Sequence, residues 1–477
     1  MSGCSKASFI KEYVQQLKCG KASLFIGSGI SRKAGYANWK DILRECAEEI
    51  GLEVDKESDL ITLAEYYVRD KLRTKINQTI AEYFDDSKGA PVEVHRIIST
   101  LPIRSIWTTN YDTLLERCLN NADISCSVIT NDKSYSNLNR SAKVKIHKIH
   151  GDVKNASECV ISRKDYEKFE EQHDIVLSEL KGEMCTNSFL FLGYGFNDTD
   201  IQHILSKIRL AYEENHPQRH FCIIEKINRR NYKNDEDFEY NQKRQNHHVA
   251  DMQSYGINVV LVDSYDEIES MLKEISLRVH LNDVLICGAY ENNTRLAENR
   301  ITPLAEQLSE RLITLGYKIF TGYGKNLGAD IVSGAFKGCG NVDIAAKKFN
   351  DNVFLFPFPY KLSDSIDRAK LYTDLRKNMI AKTQISIFIC GEKANGKSLI
   401  ISPGTMEEYE LSKQQGNLII PIATTGGAAR AIWDDLNSND TNYSQNEFFQ
   451  KLDKEINPDA IVQIVFDIIK EYSKKYR

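Results

Sequence analysis

No two of the eleven cysteines in this 477-residue chain stand in a C-x-x-C spacing. They are Cys4, Cys19, Cys46, Cys118, Cys126, Cys159, Cys185, Cys222, Cys287, Cys339 and Cys390, odd in number and scattered. This excludes the usual paired-cysteine zinc site and does not suit a disulfide framework, so a reducing, cytoplasmic setting is expected. Long apolar runs are missing too. Stretches such as 189–193 and 259–262 are far too short to span a bilayer. The opening MSGCSKASFIKEY has no apolar run behind a basic segment, so no signal peptide is read. Nor is there an excess of one charge: 62 Lys plus Arg stand against 67 Asp plus Glu, for a net charge of −5. That balance argues against a broad nucleic-acid or anionic-membrane surface but leaves room for a local basic pocket. No internal repeat or low-complexity tract interrupts the chain.

What is present is ordinary globular material, 42% hydrophobic and 27% charged, enough to bury full cores. At roughly 100–200 residues per domain, the length predicts two to four domains. Short β-like runs fall at 23–26, 105–108, 144–149, 189–192, 221–224 and 259–262, then at 284–286, 318–320, 353–356, 385–389 and 418–422. Helix-period stretches such as 39–50 and 305–315 lie between them. The alternation predicts βαβ units, hence an α/β fold with two Rossmann-like parallel-sheet domains. A helix over 265–279 closes the first, and VLICG restarts the pattern, so the domains are drawn as 1–280 and 281–477. The mixed-charge segment 228–248 reads as a solvated helix or insertion rather than a nucleic-acid patch.

Four strand ends in the first half carry polar motifs. SLFIGSGIS runs a strand into Gly27-Ser28-Gly29, a turn that either cradles a phosphate or simply bends the chain. IWTTNYD places Asn110 at a strand's carboxyl end and Asp112 near a helix start, where it binds a ligand or caps the helix. KIHKIHGD ends in His150, able to act as a general base near neutral pH, with a second histidine, His147, within the strand before it. FLFLGYGFND carries Gly193-Tyr194-Gly195 and then Asn197 and Asp198.

In this order the four motifs resemble the sirtuin-type NAD-binding domain, over roughly 23–200 with the sheet continuing to 262. The resemblance implies that Gly27, Ser28, Gly29 and Ser31 belong to an NAD loop, joined by Gly193 and Asp198. It matches Asn110 and Asp112 to the family's Asn-x-Asp signature and His150 to its catalytic histidine. Two departures point away from acyl-lysine peptides. Ala37-Asn38-Trp39 stands where deacylases carry Asp-Phe-Arg, and the four-cysteine zinc module is absent. The resemblance is therefore to the sirtuin-like branch that cleaves NAD itself, with Asn110 and His150 as catalytic residues, NAD as substrate and no metal.

The second half carries VLICGA, IFTGYGKNLGAD, ISIFICGE and SPGTMEEYE, again glycine turns after apolar strands. Together they resemble a SLOG domain, a Rossmann-like module for nucleotide derivatives. Some relatives carry Pro-Gly-Gly-x-Gly-Thr-x-x-Glu. Ser402-Pro403-Gly404-Thr405 lacks the double glycine, which favours sensing over catalysis. The resemblance implies a ligand set of Gly288, Gly322, Gly324, Arg376, Lys393 and Glu408. The arginine and lysine would meet phosphates and the glutamate a ribose hydroxyl.

A sirtuin-like half followed by a SLOG half resembles the NAD-cleaving effectors of the Thoeris antiphage system. That implies activation by a cyclic ADP-ribose isomer made by a TIR-domain partner, and a homo-oligomer, tetramer or larger, with no nucleic-acid or membrane partner. A protein deacylase or ADP-ribosyltransferase, or a nucleotide sensor without turnover, remain the alternatives.

Overall fold

In the computed structural model, residues 4–36, 39–196, 199–212, 218–291, 297–340, 342–359, 363, 367–396 and 398–476 are described. The chain forms two compact units, Met1–Val279 and His280–Arg477. Both are α/β, as the alternation of elements predicts.

The strands of the first unit are β1 (Ala22–Ile26), β2 (Ser105–Thr108), β3 (Cys126–Ile129), β4 (Val144–Lys148), β5 (Ser188–Leu192), β6 (His220–Glu225) and β7 (Ile257–Val262). They form one sheet in the order β3-β4-β2-β1-β5-β6-β7, and every pairing is parallel. Alternate side chains explain why β1 and β5 are buried from end to end. Leu24, Ile26, Leu190 and Leu192 enter one apolar cluster, while Phe25, Phe189 and Phe191 enter another. The chain leaves β1 for β2 on one side and later returns to β5 on the other. The carboxyl ends around β1 therefore form a switch-point crevice. Between β1 and β2, helices Trp39–Glu49, Leu60–Asp70 and Thr74–Tyr83 build an apolar cluster of their own around Ile42, Leu43, Leu63, Ile76 and Ile80.

The second unit holds β8 (Asp283–Cys287), β9 (Lys318–Thr321), β10 (Val353–Leu355), β11 (Ile385–Ile389), β12 (Glu392–Asn395), β13 (Ser398–Ile401) and β14 (Leu418–Ile422). Five of these form a sheet in the order β10-β9-β8-β11-β14, again all parallel. Strands β12 and β13 pair only with each other, antiparallel. Here the crevice opens beside β8, between β9 and β11.

Three strands escape the sequence pattern. Strand β3 reads CSVI and is only half-buried at a sheet edge, so its apolar run is broken. Strands β12 and β13 are mostly exposed and lack a core face altogether. The segment 228–248 lies largely within the helix Asp235–Ser254, which buries only Val249 and Met252, in keeping with a solvated helix. Among the described residues, no helix is long and apolar enough to cross a membrane.

Candidate functional site

In the first unit the ends of β1, β2, β4 and β5 converge on one cavity of about 560 Å³. Its lining includes Ser28, Ser31, Asn110, Asp112, His150 and Gly193, six of the residues singled out in the sequence. Gly27 and Gly29 are not in that lining and pack instead against Gly193, which is. Asp198 lies outside the described residues.

Asn110 stands two residues beyond β2. Thr108 Oγ1 accepts from the Asn110 backbone N–H at 3.0 Å and donates to Ile26 O at 2.7 Å, which ties the turn to β1. The Asn110 amide Nδ2 donates to Gly27 O at 3.1 Å and to Ser31 Oγ at 2.8 Å. Ser31 Oγ passes its own proton to Asp112 Oδ2 at 2.7 Å, while Asp112 Oδ1 accepts from Leu114 N at 3.0 Å. Asp112 stands just before Thr113, the N-cap of the helix Leu114–Asn121, and so joins the start of that helix to Ser31. His150 is buried and meets Tyr166 and Phe169 edge-on, with centroids 5.6 and 5.8 Å away. Those rings fix the plane of the imidazole at the cavity wall.

The glycines of the turn serve a neighbouring backbone directly. A Cβ on Gly27 would lie 2.4 Å from Gly193 O, and Gly193 itself has φ +63°. Gly29 N donates to Gly193 O at 3.0 Å. What approaches the Gly-Ser-Gly turn so closely is the turn after β5.

Two further findings concern residues near the cavity. His147 lies within β4, which ends at Lys148, and His150 lies in the turn beyond it, so the two histidines do not share a face. His147 stacks on Trp107 with centroids 3.7 Å apart and its Nε2 meets Glu179 Oε2 at 3.3 Å. It does not line the cavity. Glu179 is held well below the usual carboxylate range by His147 first, then by Lys145 and Tyr135, against the effect of burial. Trp39, noted in the sequence only as part of a departure from the deacylase motif, also lines the cavity, and sequence reasoning passes over the other walls from the helical insertion, Asp59, Leu60, Ile61 and Phe84. Nothing local marks them, because they reach the cavity only through the packing of that insertion.

The described lining carries the carboxylates Asp59 and Asp112 and no Lys or Arg. Asp59 is held low by hydrogen bonds from Thr62, so it stays ionised. Among the described residues, no group of three or more His, Cys, Asp and Glu could hold a metal.

In the second unit Gly288, Gly322 and Gly324 follow β8 and β9. Gly288 has φ +139°, and a Cβ there would fall 1.9 Å from Ile389 O; one on Gly324 would fall 2.0 Å from Gly288 O. These turns are locked to one another. Arg376, on the helix Arg368–Ile380, is almost buried. Its Nη1 donates to Glu407 Oε2 at 2.7 Å, and Nε stands 3.8 Å from Glu408 Oε1. Phe358 stacks on the guanidinium at 4.8 Å. Arg376 Nε is buried and makes no hydrogen bond among the described residues. Gly404 seats this arginine, since a Cβ there would meet Nη2 at 2.5 Å. Burial raises the Glu408 carboxyl to about 7, with Arg376 pulling the other way. Lys393 is not brought to this group by any hydrogen bond or ion pair among the described residues. It stands exposed on β12, opposite Ile400.

Two parallel-sheet units, each with polar residues gathered at the carboxyl ends of its strands, define a two-domain nucleotide-handling protein. Comparison with known families agrees. Residues 104–249 match the SIR2-like domain, and residues 267–472 match the Sir2- and TIR-associating SLOG family. The chain is 34% identical to the NAD(+) hydrolase ThsA of Enterococcus faecium over 97% of this chain and 98% of that protein. It is 33% identical to that of Acinetobacter baumannii (strain 532279), over 97% and 98%. For the protein of Bacillus cereus (strain MSX-D12) the figures are 31%, 95% and 94%. The chain belongs to the ThsA family.

Proposed function

We propose that the first unit hydrolyses NAD to nicotinamide and ADP-ribose, and that a cyclic ADP-ribose isomer bound in the second unit switches it on. One observation carries the first part: Asn110, Ser31 and Asp112 form a continuous hydrogen-bonded chain in the cavity that His150 also lines. Relatives matched over almost the whole chain bear the name NAD(+) hydrolase.

Cleavage breaks the bond between ribose C1′ and the nicotinamide nitrogen. The electron pair leaves with nicotinamide, and positive charge develops on the ribose. Water then adds to C1′ and releases a proton. Asn110, its amide held by Ser31 and Gly27, positions the ribose or the water. His150 takes the proton from water or a ribose hydroxyl. Asp112 holds Ser31 and adds negative charge beside the developing cation. A cavity with two carboxylates and no lysine or arginine in its described lining suits the cationic nicotinamide ring.

For the second unit, Arg376 supplies a buried guanidinium with an unused Nε for a phosphate, and Glu408 a carboxyl for a ribose hydroxyl. This reading includes a TIR-domain protein as the source of the isomer, a homo-oligomer, tetramer or larger, as the responding assembly, and a cytoplasmic site of action. The test is NAD consumption with and without cyclic ADP-ribose isomers, comparing the natural chain with Arg376→Ala. Nicotinamide release that needs the isomer and is lost in Arg376→Ala supports the reading. Equal, isomer-independent rates in both remove the gating. A requirement for a peptide acceptor would favour a deacylase or transferase instead.

A further inference from the structure

We propose that Lys148 is a positioning residue that fixes the Asn110–Asp112 segment against the His150 turn. The inference rests on the hydrolase reading of the first unit.

Lys148 is the last residue of β4 and is 1% exposed. Its Nζ donates to Tyr111 O at 3.0 Å, Asp112 O at 2.6 Å, Glu116 Oε1 at 3.1 Å and Asp152 Oδ2 at 2.7 Å. An ammonium has three protons, so these four acceptors use all of its capacity. Two of them directly follow Asn110, and Asp152 lies two residues after His150. One side chain therefore ties both halves of the site together. The sheet cannot do this itself. The β2–β4 register ends at Thr108 opposite Lys148, and Ile149 N to Thr108 O is the next bond. Beyond it, Asn110 and His150 are in turns whose separation the ladder no longer sets. Val153 N donating to Tyr111 O at 2.9 Å is the backbone counterpart of the same tie.

Stability alone is a weak reason for such a group. Removing an ammonium and two carboxylates from water is costly, and apolar replacements of buried ion pairs often fold as well. Glu116 Oε2 is buried without a hydrogen-bond partner, so the cluster is not built for the best pairing. What it does supply is a fixed distance between two catalytic segments. A displacement of about 1 Å in such a site can lower turnover about a hundredfold.

The test uses the full chain with its activating cyclic ADP-ribose isomer. It compares Lys148→Met, the charge-balanced Lys148→Met/Glu116→Gln/Asp152→Asn, and the core truncation Val259→Ala as a stability control. Folding is followed by circular dichroism and thermal melting, and nicotinamide release gives kcat and KM. The expected result is kcat lower by about a hundredfold in both lysine variants, KM changed less than about threefold, and a near-normal kcat in Val259→Ala despite a lower Tm. A normal kcat in a folded Lys148→Met overturns the proposal and leaves the hydrolase reading intact. Failure of both lysine variants to fold assigns Lys148 to stability alone and also overturns it. A natural chain that releases no nicotinamide overturns the hydrolase reading and the proposal with it.

Discussion

Ser31 donates its hydroxyl proton to Asp112 at 2.7 Å across 81 positions of chain. The same oxygen accepts from the Asn110 amide at 2.8 Å. A single hydroxyl thus joins the turn after β1 to the turn after β2. In Ser31→Ala the Asn110 amide keeps only Gly27 O, and Asp112 loses a donor. The expected outcome is kcat lower by roughly tenfold or more, with about 1 kcal/mol lost from stability. Nicotinamide release and a urea melt check the two parts separately.

Asn110→Ala and His150→Ala remove the groups assigned to the ribose and the proton. Each should lower nicotinamide release by roughly a hundredfold or more while the thermal melt stays close to the natural chain's. Wild-type rates in a folded variant would remove that residue from the mechanism.

Gly27→Ala tests whether the glycine turn is shaped by the backbone beside it. The added methyl would fall 2.4 Å from Gly193 O. We expect a loss of about 1–3 kcal/mol and a matching fall in activity. An alanine tolerated with an unchanged melt would show that the turn after β5 can yield.

Glu408 makes the second unit sensitive to pH. Its carboxyl is raised from 4.5 to about 7, with Arg376, Glu407 and Cys287 as its charged and titratable neighbours. The folded chain then holds this proton to higher pH than the unfolded chain does. The contribution to stability is full below about 4.5 and is lost as pH rises through about 7. The slope is at most about 1.4 kcal/mol per pH unit. Glu408→Gln should flatten it. Hydrogen exchange of peptides around 385–422, followed between pH 4.5 and 7.5 in both chains, reads the difference.

Much of the fold is legible in the sequence, because apolar runs such as those in β1, β5 and β11 are local patterns. The missed strands are those whose burial is weak. CSVI sits half-exposed at an edge, and the β12–β13 hairpin has little of its surface covered. Asn110, Asp112 and His150 are legible because each follows an apolar strand directly. Lys148 is not, since a lysine in KIHKIHG reads as a break in the strand until its four acceptors are in place. Lys393 shows the opposite case: a motif match alone does not bring a side chain to Arg376.

The paired-cysteine zinc site missing from the sequence, the strand–turn–helix rhythm and the polar residues at strand ends follow from residue types close together in the chain. They determine an α/β protein with two sets of candidate site residues. Only the tertiary structure decides that Ser31 meets Asp112, that Gly193 presses on Gly27, and that Lys148 pairs with Glu116 and Asp152 between the turns after β2 and β4. Those contacts depend on the order β4-β2-β1-β5 within the sheet. That order is set by how the two apolar faces of the sheet are covered, which no local periodicity specifies.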